Sequence, residues 1–218
     1  MEWSDLIKER ENTFAWDYER EVDPQLIKDA MWDTYMQAPT KNLKYPFVAK
    51  VIKNNEPERR KEIMTICHRN ADLPIETDGG NPQVLAPYLI GFCQRDVRDL
   101  EVIHQKTYTR KPESVERYDH LEIGIQATYL MLGLKNRGLD TGLSQNCCNN
   151  MERTAELFGL DEPVRFLLGV GYSKGPGRHQ YLDPRTDTYK PIPYDRKNIE
   201  DEYPRPAFDK IYQFEFPI

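Results

Sequence analysis

With four cysteines in 218 residues and no C-x-x-C spacing, the chain has no disulfide framework to lean on. Cys147 and Cys148 are adjacent and cannot easily bridge each other, Cys67 and Cys93 stand apart, and all four are expected as reduced thiols. Zinc needs clustered ligands; Cys67-His68 is the only close Cys–His pair and suits helix packing, so no structural metal is expected. No apolar run approaches the ~20 residues of a membrane span. Met1-Glu2-Trp3-Ser4-Asp5 does not read as a signal peptide, which makes the cytoplasm the expected location. Neither sign of charge dominates: net −6 with 30% charged residues gives no bulk attraction to nucleic acid or an anionic membrane, and neither is expected as a partner. Internal repeats and a dividing linker are missing. So is a G-x-G-x-x-G after a strand; Gly169-x-Gly171 has the wrong continuation and reads as strand packing. Ser4, Ser114, Ser144 and Ser173 have no His/Asp context, and His68, His104, His120 and His179 are scattered, so no nucleophile or general base stands out.

What is present is ample material for a core. The 39% hydrophobic and 11% aromatic fractions exclude wholesale disorder, and a chain of this length buries most of its unfolded surface. Residues 1–10 predict a short helix with Trp3, Leu6 and Ile7 on one side. Asp23-Pro24 opens a helix, Asp at the N-cap and Pro where its missing N–H costs nothing. Leu26, Ile27, Ala30, Met31 and Tyr35 then recur at helical spacing until Ala38-Pro39. Phe47–Ile52 predicts a strand, residues 57–70 a charge-rich helix, and Val84–Phe92 a buried strand in which Pro87 marks an edge or bulge. Pro112 opens a further helix. Its section from Leu121 to Leu134 carries only Glu122, Gln126 and Thr128 as polar interruptions, predicting burial nearly all round, with Gly124, Ala127, Thr128 and Gly133 allowing close approach and Gly138 stopping it. A short helix over residues 151–158 closed by Gly159, a strand over 164–172, a long Pro- and Tyr-rich loop over 173–206 and an alternating terminal strand over 211–218 complete a single α+β domain.

Several segments, taken in order, resemble the nitroreductase family. Ile7-Lys8-Glu9-Arg10-Glu11-Asn12 is similar to that family's first-helix Arg-x-Ser motif. Ala38-Pro39-Thr40-Lys41-Asn42-Leu43-Lys44-Tyr45-Pro46-Phe47 resembles its APS-x-x-N-x-QPW stretch. Glu122-Ile123-Gly124, Leu130-Met131-Leu132 and Arg137-Gly138-Leu139-Asp140-Thr141 resemble its central helix and the turn after it. Phe158-Gly159-Leu160-Asp161-Glu162-Pro163 with Leu168-Gly169-Val170-Gly171-Tyr172, and Pro204-Arg205-Pro206 with Phe208, Asp209 and Ile211, resemble its later elements. The resemblance implies a nitroreductase-like three-layer fold: a mixed or antiparallel central sheet flanked by helices, with a C-terminal arm over 207–218 exchanged in a homodimer.

It also implies FMN. The phosphate dianion needs cations that grip with a planar fork, and Arg10 and Arg205 match the family's phosphate arginines, with Asn12 in place of its hydroxyl residue. Standing alone, Arg10 would be a solvated helix-end arginine. The flavin ring needs polar partners along its pyrimidine edge and a donor near N5. Asn81 falls where the family places a ring-contacting Asn, with Gln83 beside it, though turn chemistry accounts equally well for both. The backbone at Gln145 and Asn146 matches the segment that faces N5. Glu11, Phe14, Pro39, Thr40 and Asn42 complete the implied cofactor set. Departures from the pattern are Phe14 where a basic residue is usual, Asn42 displaced by one, Tyr45-Pro46-Phe47 for Gln-Pro-Trp, and roughly thirty extra residues before Arg205.

The activity implied is that of an NADH- or NADPH-dependent flavoprotein oxidoreductase. A nicotinamide reduces the FMN, leaves, and is followed in the same slot by a nitro, quinone or related unsaturated acceptor. The alternative is a flavin-binding, storage or flavin-processing module with little turnover, which the Phe14 substitution favours.

Overall fold

The computed structural model describes residues 2–40, 45–67, 81–94, 112–144, 151–174, 180–183 and 188–191. Local chemistry sets the helix boundaries. In α1 (Trp3–Glu9) Leu6 is buried, while Trp3 and Ile7, expected on the same apolar side, face outward. The Asp23 carboxylate accepts from Gln25 N at 2.9 Å and starts α2 (Pro24–Gln37), which buries Ile27, Ala30 and Thr34 and leaves Tyr35 exposed. The strand β1 (Phe47–Lys53) is followed by α3 (Pro57–Ile66), again opened by proline.

The apolar run after Asn81 is not one strand. Pro82–Leu85 forms a 3-10 turn, and β2 (Tyr88–Gln94) begins only after Pro87, so this proline precedes the strand instead of lying at an edge within it. Pro82 favours the tight turn, and Pro87, unable to donate to a ladder, marks where the strand starts. Next come α4 (Pro112–Asn136), the short strand β3 (Asp140–Ser144) that hydropathy did not reveal, α5 (Met151–Phe158) and β4 (Val164–Gly171). The segment expected as a loop carries a hairpin of β5 (Gln180–Asp183) and β6 (Thr188–Pro191). The predicted terminal strand and arm lie outside the described residues, as do residues 68–70 of the predicted helix.

The central sheet runs β1-β2-β4-β3, and every described pair is antiparallel. Alternation sends Leu89 and Leu167 to one face, where Val164 joins them across a bulge and all three pack with Trp16, Ile63, Met64, Val84 and Phe158. Ile90, Phe92, Phe166, Leu168 and Val170 point to the other, against Ile27, Ala30, Ile123, Leu130 and Leu134. A register shift at Phe92/Cys93 marks a bulge between β2 and β4. The result is three layers, α2 and α4 on one side and α3, α5 and the 3-10 turn on the other. The α4 helix is not buried all round within one chain: Leu121 is 59% and Tyr129 42% exposed, and a Cβ on Gly124 would meet nothing.

Candidate functional site

The chain leaving α1 lies beside β3, one of the two outer strands of the described sheet. Thr13 N donates to Thr141 O at 2.9 Å, and Asn12 Oδ1 accepts from Leu143 N at 2.6 Å. Asn12 thus uses its side chain as a substitute carbonyl on a sheet edge. Further on, Asp17 N donates to Tyr172 O at 2.8 Å and Lys174 N to Ala15 O at 3.0 Å, tying residues 12–17 to the end of β4. Arg10, half-buried, caps α1 through its N–H to Leu6 O, and it enters no ion pair among the described residues.

The 3-10 turn meets this segment from the other side. Asn81 Oδ1 accepts from Gln83 N at 3.3 Å, the turn chemistry foreseen for Asn-Pro, while its Nδ2 donates to Ser144 Oγ at 3.4 Å. The turn chemistry is present, and the amide nitrogen of the same side chain is used on β3. Gln83 is only 7% exposed, and its Oε1 has no hydrogen-bond partner among the described residues. Glycine makes the convergence possible: a Cβ on Gly142 would stand 2.6 Å from Thr13 O, 2.9 Å from Trp16 Cζ2 and 3.0 Å from Gln83 Cβ. Gly169 and Gly171 likewise sit under the turn, so their spacing serves strand packing, as expected.

Of the residues singled out in the sequence, Asn12, Asn81 and Gln83 are brought together, with Arg10 and Glu11 leading into the cluster. Phe14, half-buried, stands in the same segment. Pro39 and Thr40 are anchored elsewhere, on α4: Thr40 Oγ1 donates to Glu122 Oε2 at 2.6 Å and Gln126 Nε2 to Pro39 O at 3.5 Å. Glu122 and Gln126, read in the sequence only as interruptions of an apolar helix, are buried, and their i, i+4 spacing puts them on the one face that receives this polar segment. Tyr45, at φ 45°, donates from its hydroxyl to Tyr35 O at 2.6 Å; burial, then Tyr35 and Glu122, raise its phenol pKa. Asn42, Gln145, Asn146 and Arg205 lie outside the described residues. Residues that sequence reasoning did not single out are Thr13, Trp16 and Asn54, whose roles depend on contacts far along the chain. Among the described residues there is no group of three or more His, Cys, Asp or Glu that could hold a metal ion, and no helix is long and apolar enough to cross a membrane.

Comparison with solved structures gives the same architecture at low identity. A nitroreductase family protein from Streptococcus pneumoniae superposes with a TM-score of 0.62 at 16% identity, over 80% of this chain and 92% of that one. The NADPH:FMN oxidoreductase of Vibrio harveyi, solved with NAD+, gives 0.59 at 15%, over 79% and 69%. A nitroreductase from B. subtilis gives 0.61 at 12%, over 91% and 78%. Likeness at these identities establishes the fold alone. No curated protein sequence matches significantly. The family model described as "Nitroreductase family" matches residues 15–172, well over half of the sequence, and the chain belongs to the nitroreductase family.

Proposed function

We propose that this protein is an FMN-dependent oxidoreductase that takes hydride from NADH or NADPH and delivers it to a nitro, quinone or related unsaturated acceptor in a ping-pong cycle. Family membership supports the flavin-dependent redox class. The observation that carries the cofactor reading is the Oε1 of Gln83, buried without a hydrogen-bond partner among the described residues, on the turn it shares with Asn81 and beside Gly142 of β3. A buried acceptor in a native fold is ordinarily satisfied. The imide edge of an isoalloxazine offers an N–H between two carbonyls, and an amide acceptor beside other amide and hydroxyl groups fits that pattern.

FMN, when bound, supplies the hydride chemistry, so the chain need provide no nucleophile or general base. The chain's own part is to hold and orient. Gln83 and Asn81 are assigned to the polar ring edge. Arg10 is assigned to the phosphate, where a guanidinium offers a planar pair of donors. Arg205, Asn42, Gln145 and Asn146 are assigned from the family resemblance, together with Glu11, Phe14, Pro39 and Thr40. A homodimer is part of the reading, since Leu121 and Tyr129 leave apolar surface uncovered on α4 in a single chain.

The test is direct. Purified protein should be yellow, absorb near roughly 450 nm, sediment as a dimer, and bleach anaerobically with NADH or NADPH, then recover its colour with a nitro compound or quinone. Yellow protein that no nicotinamide bleaches would point to a flavin store. Colourless protein that rejects added FMN would sink the assignment.

A further inference from the structure

The turn that carries Asn81 and Gln83 is tied down at nearly every carbonyl by groups from outside it. Pro82 O accepts from Trp16 Nε1 at 3.0 Å, and Leu85 O from the Tyr18 hydroxyl at 2.6 Å. Val84 O and Ala86 O each accept from Asn54 Nδ2 at 3.0 Å, and Pro87 O accepts from Asn54 N at 2.7 Å. The remaining carbonyl, Gln83 O, presses over Gly169, 2.3 Å from where a Cβ would be. Turns ordinarily run at the surface and leave many such groups to water. Here two segments remote in sequence meet them instead.

Asn54 is the centre of this arrangement. It is fully buried, and its Oδ1 has no partner among the described residues. Flipping the amide would set an oxygen against two carbonyls, so the observed orientation is the only one the surroundings accept. The residue retains an unfavourable orphan acceptor for the sake of two donors. Trp16 and Tyr18 come from the same segment as Asn12, and Arg60 of α3 stacks over the Tyr18 ring at 4.2 Å, extending the brace to a neighbouring helix. The bonds therefore hold the Asn81/Gln83 turn against both β1 and the Asn12 segment.

We propose that Asn54, Trp16 and Tyr18 are positioning residues that fix Asn81 and Gln83 relative to Asn12 and so set the affinity of this site for the flavin. The inference rests on the FMN reading above and goes beyond it, since none of the three is assigned to touch the cofactor.

Full-length protein and FMN suffice for the test. Tyr18→Phe removes one hydrogen bond from a half-exposed ring and should fold; Asn54→Asp keeps the shape and removes both side-chain donors. Ile27→Val, in the opposite core cluster, is the control for a general loss of stability. Tyr18→Phe is expected to raise the FMN dissociation constant severalfold and Asn54→Asp about tenfold, on the scale of one and of two lost hydrogen bonds. Both should also shift the visible absorption of the bound flavin, which a purely structural lesion would leave alone. Ile27→Val should lower Tm with affinity and spectrum unchanged. If Asn54→Asp does not fold, Tyr18→Phe and Trp16→Phe decide. Wild-type affinity and spectrum in those variants would overturn the proposal and leave the FMN reading standing. Wild-type protein that takes up no FMN would overturn that reading, and this one with it.

Discussion

At the scale of single residues, Gln83 is the informative case. Its backbone serves the turn, its Cβ packs beside Gly142, and its amide oxygen is buried without a donor among the described residues. An unsatisfied buried acceptor costs about 1–3 kcal/mol, whereas an apolar group of similar shape removes that cost. Gln83→Leu is therefore expected to leave the apo protein's Tm unchanged or raised while weakening FMN binding about tenfold. Differential scanning fluorimetry with and without FMN separates the two effects. A fall in apo stability with affinity retained would mean that the amide serves the fold alone. Asn12 shows the opposite economy: its oxygen already accepts from Leu143 N, so one of its two lone pairs serves the sheet edge.

At the scale of elements, the end of α4 determines where β3 lies. Gly138 adopts φ 78°, its N–H donates to Lys135 O and that of Leu139 to Leu134 O, a Schellman closure that satisfies two terminal carbonyls. The strand starts only two residues later, at Asp140, whose carboxylate holds Lys135 at 2.9 Å and accepts from Ser173 N at 2.9 Å. The same closure ends α5 at Gly159, with φ 57°. A Cβ on Gly138 meets no atom, so the cost of substitution there is purely conformational. Gly138→Ala should destabilise the fold by about 1 kcal/mol, the left-handed penalty for an L residue, read as a shift of the urea midpoint at constant slope. No shift would show that this backbone conformation is not required.

At the scale of the whole molecule, one sheet separates two apolar clusters, and several ionisable groups are held within or beside them. Burial raises the Cys93 thiol above its ordinary 9.0, with Glu162 and Asp161 adding to the shift and a backbone hydrogen bond to Val48 opposing it. Burial likewise raises Tyr18 above 10.0 against the pull of Arg60, and Tyr45 above 10.0. Above these ordinary values the unfolded chain sheds protons that the folded chain keeps. The contribution of all three groups is then complete below about pH 9 and lost as pH rises through the raised values. Tm measured from about pH 8 to about pH 11 should be level at first and then fall. A Tm that holds steady across the alkaline range would contradict this account.

What the sequence determined alone is what adjacent residues can settle. Asp23-Pro24, Pro57, Gly138 and Gly159 mark helix ends because a cap, a fixed φ or a left-handed glycine acts within one turn of chain. The family pattern likewise singled out Asn12, Asn81 and Gln83, and the structure brings them together. Tertiary structure decided the rest. Val84 and Leu85 belong to a 3-10 turn because Asn54 and Tyr18 take up their carbonyls, and an apolar run of that length is equally compatible with a strand. Short, glycine-containing β3 becomes a strand only by pairing with β4, and Thr40 finds Glu122 across 82 positions. Such choices depend on which surfaces meet when distant segments close on one core, and no local propensity encodes that.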